Sequence, residues 1–262
     1  AWWDWRFLFL IICSGLVDYF AGLYLEKKPK ARRTFLALSL LGNLGALFIF
    51  KYSLFVAQCV DYFLIKMGSG MRLSDNIPGF ALILPVGISF YTFQSLSYTI
   101  DIYRGRLKPT KNVLHFFAYL SMFPQLVAGP IVRAKDLLGQ LKEKRIASDL
   151  QKWHGVKLIA YGLFQKTVLA DNLGVIVNHA HHSGNSDYGT AFWWITTSCF
   201  TLQIYLDFSG YSLIARGLAK FMGYHFKMNF NHPYLASTFQ DFWRRWHISL
   251  STWFRDYVYI PL

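Results

Sequence analysis

Long stretches without charge constrain this chain more than any other feature. Asn76 to Ile100, Asn112 to Val132 and Tyr188 to Leu206 contain no Asp, Glu, Lys or Arg, and Phe7 to Leu25 is interrupted only by Asp18. Thr34 to Phe50 is also charge-free and continues past Lys51 to Val60, while Leu158 to Asn178 is weaker because it carries Lys166 and Asp171. A bilayer core demands about 20 helical residues with few charges, since no water is present to satisfy an exposed backbone. Five or six membrane segments are therefore expected, in an all-α, polytopic membrane helix bundle. Composition agrees: 54% of residues are hydrophobic and only 16% charged, against about 25% charged in an average soluble domain.

The charged minority is basic, with 27 Lys and Arg against 14 Asp and Glu and a net charge of +13. Such a balance suits nucleic acid, anionic lipid or an anionic substrate. Because the charges alternate with spans and no recognition motif accompanies them, membrane lipid is expected as the partner and nucleic acid is not. Lys27 to Arg33 and Arg104 to Lys111 read as cytoplasmic loops by the positive-inside bias, and the Lys- and Arg-poor loops Lys66 to Gly79 and His179 to Gly189 as external. The basic run Arg133 to Arg145 on the far side of Asn112 to Val132 conflicts with a simple crossing there. That segment holds Phe123-Pro124-Gln125 and Ala128-Gly129-Pro130, so a re-entrant hairpin is expected. Leu84-Pro85-Val86-Gly87 interrupts a second span, either as an ordinary kink or as backbone lining a shared cavity.

Cys13, Cys59 and Cys199 are scattered and form neither a disulfide framework nor a zinc motif. His179, His181 and His182 lack a spaced carboxylate or Cys to complete a metal site, so no metal is expected. The chain opens without an initiator Met or a signal peptide and stops after an aromatic run. It is expected to be one integral-membrane core, residues 1–262, cut at both ends.

Polar residues within spans are costly and hence candidates for function. Gln203, Asp207 and Tyr211 recur every four residues and share one helical face; the face is either interhelical glue or the lining of a substrate passage. Asp18, Asp61 and Asp101 lie near Tyr residues at span ends, where interface anchoring accounts for them. Thr238 to Tyr257 reads as a single amphipathic interfacial helix, with Phe239, Phe242, Trp243, Trp246, Leu250, Trp253, Phe254 and Tyr257 in one stripe and Gln240, Asp241, Arg244, Arg245, Ser251 and Arg255 opposite. Thr238 and Asp241 resemble a capping box. His247 falls on the border, as either a packing residue or a neutral general base. The adjacent Arg244 and Arg245 suit the phosphates of an acyl donor.

The runs Leu84–Gln94, Phe123–Arg133, Asp207–Ser212, Asn229–Asn231, Asp241–Ser251 and Arg255–Leu262 together resemble the membrane-bound O-acyltransferases (MBOAT), most closely the bacterial members that O-acetylate alginate. The resemblance implies a helix bundle with re-entrant and interfacial helices around a tunnel, in a bacterial inner membrane. It also implies transfer of an acetyl group from a cytoplasmic thioester such as acetyl-CoA to an exported polysaccharide, alongside a periplasmic acetyltransferase or export partner and without a bound cofactor. D-alanyl transfer to teichoic acid is the alternative with the same fold, and a transporter or scaffold the alternative of another class. His247 matches the first of two recurring histidines and is assigned as catalytic. The second, usually the base, would lie beyond Leu262, so these residues alone are expected to fall short of full activity. Arg244, Arg245, Asp241, Trp246, Ser251, Gln203, Asp207, Tyr211, Gln94 and Gln125 are the expected donor-binding or tunnel-lining residues.

Overall fold

The computed structural model describes residues 6–79, 85, 87–126, 129–182 and 188–261, and every regular element among them is helical. In chain order these are α1 (Arg6–Lys27), α2 (Arg32–Leu47), α3 (Ser53–Lys66), α4 (Ile88–Tyr103), α5 (Val113–Leu120), α6 (Phe123–Leu126), α7 (Ala134–Leu141), α8 (Asp149–Leu163), α9 (Asp171–His182), α10 (Thr190–Phe221), α11 (Phe239–Arg245) and α12 (Ile248–Phe254). π-helical turns at Phe48–Tyr52 and Phe164–Ala170 join α2 to α3 and α8 to α9, and a third, Arg255–Tyr259, follows α12. The chain divides into two compact units: residues up to Met122 with Arg133–Lys142, and Phe123–Val132 with everything from Glu143 onward.

In the first unit, Leu8–Lys27 and Pro29–Lys66 are long and apolar enough to cross a bilayer by length and composition. Among the described residues no further helix passes that test. The stretch Asn76 to Ile100 is not one helix, because Gly87 takes a left-handed conformation (φ 75°) and α4 begins only at Ile88; residues 80–84 and 86 lie outside the described set. Asn112 to Val132 is also broken, into α5 and the one-turn α6. Thr, Ser, Trp and Gln dilute the hydropathy of α10, although it runs far beyond the expected Leu206.

α1, α2 and α4 pack around a buried polar knot that the sequence reading placed at an interface. Asp18 is fully buried and accepts from Ser39 Oγ at 2.5 Å and from Asn43 Nδ2 at 2.9 and 2.8 Å, and Ser39 Oγ lies 3.0 Å from Thr99 Oγ1. Each such interhelical bond contributes roughly 1 kcal/mol or less in a membrane, so the knot fixes register more than it supplies stability. Asp61 likewise ties a loop, accepting from the amides of Leu73 and Ser74 at 2.5 and 3.0 Å. Asp101 is buried on α4. The two basic segments expected on one side do meet. Glu26, Pro29 and Arg32 line a cavity of about 240 Å³ together with Gly105, Leu107 and Lys108.

In the second unit α8 and α10 run antiparallel in backbone contact. A Cβ on Gly162 would stand 2.6 Å from the Gly210 carbonyl oxygen, and one on Gly155 would stand 2.7 Å from that of Gly217. Small residues at such a crossing let helices approach closely without a hydrophobic drive. Gly162→Leu is therefore expected to cost about 1–3 kcal/mol or more through overpacking, read as a lower Tm in detergent. Gly45→Ala, with nothing within 4 Å of the added carbon, is expected to leave the Tm unchanged or slightly raised.

Candidate active site

The tight contact with α8 makes α10 a helix with two distinct faces. One turns to α8 and α9 and holds the expected set. Lys166, in the π-helical turn, pairs with Asp207 at 2.8 Å and with Asp171, and lies 5.6 Å from the Tyr211 ring centroid. Gln203 packs over Gly174 of α9. Gln203, Asp207 and Tyr211 do share a face, and what they meet is a neighbouring helix.

The opposite face carries Tyr205, Phe208, Ser209, Ser212 and Arg216, at intervals of three, one, three and four residues, and turns toward the segments around Asn229 and His247. Ring contacts link Tyr205 and Phe208 to Phe230 at 5.7 and 5.0 Å, and Trp246 to Phe230 at 5.1 Å and to Phe242 at 5.6 Å. Trp246 is thus the hub of an aromatic cluster.

Thr238 to Tyr257 is not a single helix. Thr238 Oγ1 accepts from the Asp241 amide at 3.1 Å and starts α11 as expected, but Trp246 is extended and His247 is left-handed (φ 40°, ψ 54°), and α12 starts afresh at Ile248. The expected stripe is therefore split. A left-handed conformation costs a non-glycine residue about 1–2 kcal/mol and persists only where the surroundings over-determine it. Those restraints are visible. The Ile248 amide donates to the Asn229 carbonyl at 2.8 Å and the Asn231 amide to the Arg245 carbonyl at 2.9 Å. Ser249 Oγ donates to Asn229 Oδ1 at 2.9 Å and accepts from the Ile131 amide at 3.0 Å. Ser251, expected to bind donor, instead supports the break by donating to the Trp246 carbonyl at 3.1 Å.

The break pushes the imidazole inward. His247 meets Phe208 edge-to-face at 4.6 Å and lies 6.3 Å from Phe230. Its Nε2 is buried and, among the described residues, has no hydrogen-bond partner. Burial lowers its pKa from 6.5 to about 4, so the ring is neutral at physiological pH. Of the two flanking arginines, Arg245 is held by Asp241 at 2.9 Å, whereas Arg244 is exposed. Gln125 is buried on α6 in this unit, and Gln94 is buried on α4 in the other with both amide atoms unpartnered. His179, His181 and His182 lie on α9, not in a loop.

Sequence reasoning missed Ser249 and Arg216 as site residues, and saw in Asn229 only part of a matching motif. The detectable signal was the recurrence of Phe208, Ser212 and Arg216 every four residues. It runs parallel to the Gln203, Asp207 and Tyr211 series one position earlier.

The family model for membrane-bound O-acyltransferases matches residues 107–262, which include the whole His247 neighbourhood. The chain belongs to this family. It is 38% identical over its full length to the Pseudomonas aeruginosa protein named "Probable alginate O-acetylase AlgI", covering 49% of that protein. It is 34% identical to a peptidoglycan O-acetyltransferase of Helicobacter pylori, with 100% of this chain and 53% of the relative aligned. Against a teichoic acid D-alanyltransferase of Bacillus subtilis the identity is 30%, over 78% of this chain and 52% of the relative. The chain spans about half the length of these relatives.

The neutral imidazole has a pH signature. With its pKa near 4 when folded and 6.5 when exposed, the unfolded chain takes up the proton first as pH falls. The associated stability is complete above about pH 6.5 and is lost as pH falls through 4. His247→Gly, which suits the left-handed backbone, is expected to lose less Tm than the wild-type protein between pH 7 and pH 4.5 in thermal melts.

Proposed function

We propose that the full-length protein is a multi-pass enzyme of the bacterial cytoplasmic membrane. It takes an acetyl group from a cytoplasmic thioester, acetyl-CoA in the first instance, and passes it toward hydroxyls of an exported polysaccharide, alginate or another envelope glycan. The observation that carries this reading is the buried, unpartnered and neutral Nε2 of His247, held inward by a strained backbone within the stretch that matches the family. A passage through the bundle, with Asn112 to Val132 as its re-entrant element, is part of the proposal; the broken helices α5 and α6 and the left-handed Gly87 support it. Arg244, exposed beside the site, is assigned to the donor's phosphates. A periplasmic acetyltransferase or export protein is the expected recipient partner.

In the reaction the acceptor oxygen adds to the thioester carbonyl carbon and its proton passes to a neutral imidazole, a role assigned here to Nε2 of His247 rather than to the second histidine expected beyond Leu262. The carbonyl pair moves onto oxygen, and the intermediate collapses to ester and thiol as the proton goes on to sulfur. An imidazole with a pKa near 4 is a weak base at first, and the negative charge developing beside it raises its proton affinity as the bond forms. D-alanyl transfer is the second reading, favoured by the teichoic acid relative. Mass analysis of the envelope glycan with and without the intact gene separates an acetyl from a D-alanyl adduct.

His247→Ala in the full-length protein is expected to abolish glycan acetylation while leaving membrane insertion intact. Undiminished acetylation would reduce His247 to a packing residue. With the native cysteines replaced, a cysteine at Ser69 is expected to be labelled from outside and one at Lys28 only after permeabilisation; the reverse pattern overturns the proposed orientation.

A further inference from the structure

Next to His247 lies a small polar cavity whose lining includes a cation with no ion-pair partner among the described residues. Ser209, Ser212, Arg216, Asn229 and Phe230 bound a space of about 20 Å³. Phe230 also faces the His247 ring, and the Asn229 carbonyl accepts from the residue that follows His247. The cavity and the imidazole are therefore two parts of one neighbourhood, within the same compact unit.

Arg216 is the unusual member. Its Nε is buried without a hydrogen-bond partner, and among the described residues no ion pair or ring contact to its guanidinium occurs. A half-buried guanidinium normally recruits a carboxylate, because an uncompensated charge away from water is costly. Here the residue one turn earlier on the same side, Leu213, is apolar. Long helical side chains lean toward the helix N-terminus, which carries the Arg216 head toward Ser212 and Ser209, the level at which Phe208 touches His247. Ser212 Oγ accepts from Asn229 Nδ2 at 3.2 Å, leaving its own proton free to donate.

Size decides which anion fits. A space of about 20 Å³ accepts roughly one oxygen-sized atom and is too small for a phosphate with its four oxygens. The geometry points to an oxyanion pocket: Arg216, assisted by the Ser212 hydroxyl, receives the thioester carbonyl oxygen as it acquires negative charge. Preorganised donors and a fixed positive charge in a water-poor site are an effective means of stabilising such a charge. The assignment rests on the acyl-transfer reading above and makes Arg216 a catalytic residue. In the step itself the carbonyl π pair becomes an oxygen lone pair facing the guanidinium, and it returns to re-form C=O as the carbon–sulfur bond breaks and the sulfur takes the proton from the imidazolium. No oxidant or further reactant is required.

Steady-state acetyl transfer by the full-length protein tests this. Arg216→Gln is expected to lower kcat by about 10²-fold or more with little change in KM for acetyl-CoA, and Arg216→Lys to recover part of the loss. S-acetyl-N-acetylcysteamine, a thioester without phosphates, is expected to suffer the same fall. A raised KM confined to acetyl-CoA, with the phosphate-free thioester unaffected, would assign Arg216 to a donor phosphate and overturn the inference, as would unchanged rates. Binding supplies a readout independent of turnover. The wild-type protein is expected to prefer the dethia ketone analogue of acetyl-CoA, which keeps the carbonyl, over S-ethyl-CoA, which lacks it, and Arg216→Lys to lose most of that preference. Equal preference in both proteins refutes the pocket alone. Failure of the wild-type protein both to bind either analogue and to transfer acetyl refutes the acyl-transfer reading, and the pocket with it.

Discussion

Backbone contact between α8 and α10 is the constraint on which the second unit depends. Where Gly162 meets the Gly210 carbonyl and Gly155 meets that of Gly217, no side chain separates the helices, so α10 has no rotational freedom against its neighbour. Its polar series Gln203, Asp207 and Tyr211 is committed to α8 and α9, and the series Phe208, Ser212 and Arg216 is presented to the His247 region. The placement of both series thus depends on glycines, which carry no side chain at all.

Against that fixed face the chain after α10 folds back twice. Asn229 holds both returns, through its carbonyl to Ile248 and its side chain to Ser249 and Ser212. A net of several ordinary hydrogen bonds, each contributing about 1 kcal/mol, offsets the left-handed strain at His247. The arrangement holds an imidazole in an aromatic wall where solvent does not reach its Nε2.

Much of this was readable from residue order. Charge-free stretches indicate helices, two of which among the described residues are long and apolar enough to cross a bilayer, and four-residue spacing places Gln203, Asp207 and Tyr211 on one face. What spacing cannot supply is the identity of the opposing surface. Lys166, which Asp207 and Tyr211 meet, and Gly174, which Gln203 meets, sit further back along the chain, Lys166 in a different local geometry. The continuous apolar stripe across Thr238 to Tyr257 concealed the break for a similar reason, since periodicity is blind to one residue's φ when distant bonds from Asn229 decide it. Asp18 was misread because its partners, Ser39 and Asn43, come from a second helix and the linked Thr99 from a third. Local rules place a residue on its own element, and partners further along the chain decide its environment.

The π-helical turn at Phe164–Ala170 has a consequence for alignment along the helix. In an uninterrupted α-helix, twelve positions separate Gly162 from Gly174 and would rotate the latter about 120° away. One additional residue absorbed by the wider turn brings the offset back to about 20°, which is why Gly155, Gly162 and Gly174 all confront α10. The turn works like a vernier, resetting angular phase between two rigid rulers. Length changes that a loop would absorb silently are, at this point, converted into a wholesale twist of everything that follows.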